Sequence, residues 1–134
     1  MMKICQFLVI AFLLFSACKK DKNNVSPDSL NGTWELRQIN GGWTSGEFQP
    51  GNNNIIQFSG TSFERYDEGK RTVTGTFQVV DEKAEVNGKT VSQKIIFSSG
   101  DTVTEAFISR VGKTLTIYYG QIAADGAELT YAKR

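Results

Sequence analysis

The sequence predicts an all-β fold: an up-and-down antiparallel meander closed into a small barrel of eight strands, or nine if one long strand divides. Three observations carry this. From Leu30 onward apolar residues recur with period two rather than 3.6. The runs are rich in Thr, Val, Ile, Phe and Tyr, which suit a pleated surface. Tight-turn residues separate them at short intervals, and short links join antiparallel neighbours. A meander this long leaves two exposed edges unless it closes. Eight strands close around an interior that holds side chains or one small ligand.

Residues 1–17 stand apart from that pattern. Met1-Met2-Lys3 is a short positive start, residues 4–15 are almost wholly apolar, and Ser16-Ala17 supply small residues before Cys18. This reads as a secretory signal, and its apolar run is too short to span a bilayer comfortably. Phe15-Ser16-Ala17-Cys18 resembles the lipobox of bacterial lipoproteins, with Phe where that family prefers Leu. The resemblance implies that the Cys18 thiol takes a diacylglycerol and that cleavage leaves Cys18 first. An ordinary signal ending in Cys is the alternative. Several acyl chains would hold the protein firmly on a membrane, since each buried CH₂ adds ~0.8 kcal/mol.

Cys5 leaves with the signal, so the mature chain keeps one cysteine and forms no internal disulfide. Loss of Lys3 leaves 14 basic against 14 acidic side chains. That balance gives no reason to expect nucleic-acid binding. Residues 18–29 hold the lipidated cysteine and a charged, polar stretch with Pro27, expected to be a flexible tether. The domain proper is expected over 30–134.

Strands are placed near 32–40, 54–59, 61–67, 71–80, 84–98, 102–110, 113–119 and 127–133. Val73, Gly75, Phe77 and Val79 alternate with four polar residues and mark the clearest half-buried strand. Residues suited to tight turns stand at Ser59-Gly60, at Asp67-Glu68-Gly69, at Asn87-Gly88, at Ser99-Gly100-Asp101, at Gly112 and at Asp125-Gly126. Asn87-Gly88 falls inside the fifth strand, where a bulge or an extra hairpin would raise the count to nine. Residues 121–124 suit one helical turn at most.

Gly32-Thr33-Trp34 matches the Gly-x-Trp that opens the first strand of lipocalin-like, calycin-type domains, and the resemblance covers about residues 30–134. The chain looks most like the short lipocalin-like lipoproteins of Gram-negative envelopes. The resemblance implies that Trp34 lies across the closed end of the barrel beside Gly32. It also implies that a basic residue of the last strand packs over the ring. The candidates are Lys133 and Arg134: a planar guanidinium suits a ring face better, but alternation puts Lys133 on the face of Leu129 and Tyr131.

Ligand-binding candidates follow from position and chemistry. The connection over 41–53 is the longest and carries Trp43 and Phe48; the corresponding lipocalin loop overhangs the open mouth. Both rings could contact a ligand or partner, or simply pin the loop down. Arg65 shares a face with Phe63, and an inward charge must pair or meet a polar ligand. Glu105 raises the same question unless Thr104, Ala106 and Ile108 face in. Tyr119 and Tyr131 offer polar tips on apolar rings, although such rings also end ordinary core strands.

Catalysis is not expected. The chain has no histidine, which removes Ser-His and Cys-His arrangements. With one mature cysteine there is no expected metal site or cofactor. The expectation is a monomeric envelope protein, membrane-held through Cys18 and placed at the outer membrane with its leaflet open. It would bind a small apolar or amphipathic ligand. The alternative is an interaction or inhibitor module that meets an envelope protein through its loops. Many large inward rings, among them Phe58, Phe77 and Phe97, point to a small cavity or none.

Overall fold

A computed structural model describes residues 24–43 and 45–134 of the chain. The signal segment, Cys18 and the tether up to residue 23 lie outside the described residues.

Alternation and turn chemistry produce a run of antiparallel strands. These are β1 (Gly32–Gly41), β2 (Gly46–Glu47), β3 (Ile55–Ser59), β4 (Ser62–Asp67), β5 (Lys70–Val86), β6 (Lys89–Ser99), β7 (Thr102–Val111), β8 (Thr114–Tyr119) and β9 (Ala127–Lys133). Each long strand pairs with the next, and β1 pairs with β9 from Trp34↔Lys133 to Gly41↔Ala127. Eight strands therefore close, which removes the free edges. The short β2 is the extra strand, paired only with the mouth half of β1 at Gln38↔Glu47 and Ile39↔Gly46.

The expected break near residues 81–83 is instead a bulge. The register slips between Asp81 and Ala84, and β5 runs on for 17 residues. Asn87-Gly88 is the true β5–β6 turn, not a bulge or extra hairpin within one strand. Asn87 has φ 52° and Gly88 φ 75°. A two-residue turn with the twist of a hairpin requires two left-handed residues, and Asn-Gly meets that where Asp-Glu-Lys does not. The ninth strand thus comes from residues 46–47.

Inward side chains fill the barrel. Leu36, Ile56, Phe58, Phe63, Phe77, Ile95, Phe97, Ile108, Leu115, Ile117 and Tyr131 belong to one buried cluster. Phe58 meets Phe77 edge-on at 4.9 Å between centroids, and Phe63 meets Phe97 at 4.8 Å. Such pairs add to plain burial. Gly75 faces inward where β5 leaves β4 for β6. A Cβ there would stand 2.0 Å from the Ser98 carbonyl oxygen, so only glycine permits the approach.

The floor is the end where β1 begins and β9 finishes. Residues assigned to the tether on sequence alone close it. Val25 and Leu30 are buried in the core cluster, and Pro27–Leu30 forms one helical turn, α1, capped by Ser26. The Gln93 side-chain amide exchanges hydrogen bonds with the Val25 backbone, Arg110 donates to the Ser29 carbonyl at 2.6 Å, and the Gly60 N–H donates to Asn31 at 2.9 Å. The described tether residues 25–29 are thus part of the domain.

The tip of the β5–β6 hairpin makes a second small core. Beyond the bulge it folds across the outside of β7 and β8, where Val86 and Val91 cover Tyr118 and Phe107. Lys89 and Asn87 hold the buried Glu128 at 2.6 and 3.3 Å, and the Ile122 N–H donates to the Asn87 side chain at 2.8 Å. Nothing in the local sequence pattern announces this arm.

Candidate functional site

Two places carry the expected site residues: the closed floor and the open mouth. At the floor, Trp34 is wholly buried, and its indole N–H donates to the Leu30 carbonyl at 2.7 Å. Lys133 pairs directly with Trp34, so both project from the same face, and the Lys133 Nζ stands 5.4 Å from the ring centroid. Arg134 falls on the opposite face, where its guanidinium lies 3.7 Å from Glu35. Alternation along β9 makes the choice between the two cations. Gly32 has φ 122°, and a Cβ there would press on Lys133 at 3.3 Å. A second cation, Arg110, lies 5.6 Å from the Trp34 ring. The signal for it was present: Ala106 and Ile108 face in, and Arg110 follows at the next even position.

At the mouth, Arg65 projects inward from β4 beside Phe63. Its guanidinium lies 4.8 Å from the Phe97 centroid, 5.6 Å from Tyr119 and 5.7 Å from Phe63. It donates through Nη2 to the Tyr119 hydroxyl, while its Nε is buried without a hydrogen-bond partner. No carboxylate pairs with Arg65 among the described residues. Glu105 does not do so: it points outward to Lys94 at 3.1 Å, and Ala106 and Ile108 take the inner face.

The Tyr119 ring lies beneath the same guanidinium, and Tyr131 is buried in the core that Tyr119 packs against. Burial pushes the Tyr119 phenol up, and Arg65 partly opposes that. Burial likewise raises Tyr131, with the neighbouring Tyr119 adding to it. Both phenols stay neutral at ordinary pH, so Arg65 is the charge of the cluster. Beside it opens a cavity of about 220 Å³ lined by Phe63, Arg65, Val73, Phe97, Thr102 and Thr104. A larger groove of about 330 Å³ lies against Gln57, Ser62, Glu64 and Thr74. Its polar walls are outward, solvated side chains, and it contains no inward charge.

Trp43 and Phe48 separate. Trp43 is fully exposed at the mouth end, with 103% of its reference surface open. Phe48 packs against the core, and its N–H donates to the Arg37 carbonyl at 2.8 Å. The segment after it is fastened to the outside of β1 rather than hung over the mouth. Glu35, 1% exposed, accepts from the Gly51 N–H at 2.9 Å and the Asn53 N–H at 3.3 Å. Arg37 adds an ion pair at 2.7 Å. Alternation with Trp34 and Leu36 puts Glu35 on the outer face of β1; the loop that buries it there was beyond local pattern.

Comparison with protein-family models, curated proteins and solved structures finds no match for the chain.

Proposed function

We propose that this is a lipid-anchored envelope protein of lipocalin-like type that captures a small amphipathic anion at the barrel mouth. The lipobox-like Phe15-Ser16-Ala17-Cys18 and the Gly32-Thr33-Trp34 opening support the address and the kinship. The observation that carries the ligand is Arg65, an inward cation with no carboxylate and an unpartnered Nε among the described residues, beside a cavity of about 220 Å³. Small-molecule pockets generally span ~300–1,000 Å³, so the ligand is small. Its apolar part would rest on Phe63, Val73 and Phe97, and its anionic head would take the guanidinium. The work is sequestration or hand-off, with no bond made or broken.

A second reading is favoured by the filled interior and by Trp43. An aromatic ring standing free on a turn suits a protein partner. Native mass spectrometry of protein purified from its own envelope discriminates the two. A co-purifying small acid supports capture. A clean apo mass with a stable protein partner supports the interaction module and overturns capture.

A further inference from the structure

We infer that the barrel floor is the face set against the membrane, so that the Arg65 mouth opens away from the bilayer. This rests on the proposed acylation of Cys18 and adds an orientation to it.

The chain enters the domain at the floor and is fixed there. Val25 is 3% exposed and bound through both backbone groups to Gln93, and Leu30 is buried under Trp34. The floor is therefore the end from which the anchor departs. Cys18 precedes Val25 by seven residues, and seven residues reach at most ~25 Å. That length holds the floor near the headgroups and is short for wrapping around a barrel to turn the mouth downward.

The charge balance leans the same way along that axis. Lys113 and Arg134 are exposed at the floor, and Lys133 and Arg110 are half-buried beside them, against exposed Asp28 and Asp81 and the buried Glu35 that faces Arg134. The mouth is edged by exposed Asp67, Glu68, Asp101 and Asp125, against exposed Lys70 and Arg71 and the inward Arg65. An anionic bilayer attracts the first rim and repels the second within a Debye length. Tether and field act in the same direction, and the occupant of the floor face is the anionic lipid surface itself.

The test uses the full-length acylated protein in vesicles of phosphatidylethanolamine and phosphatidylglycerol carrying a headgroup quencher. One fluorophore is attached at Ser62→Cys, exposed on the floor turn, or at Asp101→Cys, exposed on the mouth turn. Thr114→Cys serves as a second floor position should the first perturb the fold. Intact mass first verifies acylation. Several-fold stronger quenching at the floor is expected. Equal or stronger quenching at the mouth of acylated protein overturns the orientation alone. A mature chain without acyl mass removes the anchor, and the orientation with it.

Discussion

The side chain of Gln93 holds both backbone groups of Val25, donating from Nε2 to the carbonyl at 2.6 Å and accepting the Val25 N–H on Oε1. It acts as one more strand partner for a residue that has none. Replacing it by Leu leaves a buried N–H and carbonyl unpaired. Gln93→Leu is expected to cost about 1–3 kcal/mol, read from urea unfolding, and to raise hydrogen exchange at residues 25–30. Unchanged exchange there would show that the floor cap is held by burial alone.

Glu35 links pH to stability. Its carboxyl is held below the usual 4.5, first by the Gly51 N–H and then by Arg37, Asn53 and Arg134, with burial opposing. A depressed folded-state pKa gives stability that is present above the unfolded value and lost as pH falls through the folded one. The melting temperature of wild type should therefore drop below about pH 4.5. Glu35→Gln should be less stable at neutral pH and flatter across that window. Parallel profiles would assign the acid sensitivity elsewhere.

Gly75 tests the closure of the barrel. The Ser98 carbonyl oxygen stands 2.0 Å from the site of its missing Cβ. Gly75→Ala forces β5 and β6 apart and is expected to cost at least the ~1–3 kcal/mol of core overpacking. Denaturation midpoints measure it, and a neutral result would mean that β5 bends differently.

Arg65 should behave as a binding residue rather than a structural one. Its charge has no carboxylate partner among the described residues, so Arg65→Met is expected to change the melting temperature little, an uncompensated charge and the hydrogen bond to Tyr119 being lost together. The same variant should bind a short-chain carboxylate at least ~10-fold more weakly in calorimetry, because a charged hydrogen bond contributes ~1.5–3 kcal/mol. Equal affinity in both proteins would remove Arg65 from the site.

The two loop aromatics should part company. Trp43→Ala removes a ring that touches nothing and should change stability by less than ~0.5 kcal/mol. Phe48→Ala opens the edge of the core and should cost roughly 1–3 kcal/mol. Thermal melts of the two variants decide this. If Trp43→Ala alone abolishes a protein partner, the interaction reading gains.

Local rules were enough for the sheet. Period-two alternation named the inward set from Ile56 to Tyr131, and the turn residues set antiparallel order. Alternation also put Lys133 and Arg134, and Ala106 and Glu105, on opposite faces, because a strand sends neighbours to opposite faces whatever surrounds it, while which of each pair turned in was left to the structure. The Asn87-Gly88 turn was visible as turn chemistry but placed inside a strand, since its meaning depended on where β5 ended.

The closed floor, the folded-over arm and the buried Glu35 came from tertiary structure alone. Gln93 and Val25 are 68 positions apart, and Arg110 and Ser29 are 81. No periodicity within a strand can announce such partners. Val25 looks like a stray apolar residue in a polar linker until the barrel presents an uncovered end for it to fill. Period-two alternation divides each strand into two faces before any fold is known, because successive side chains point to opposite sides. Only the closed structure decided which end was stoppered and which polar groups were left for a ligand.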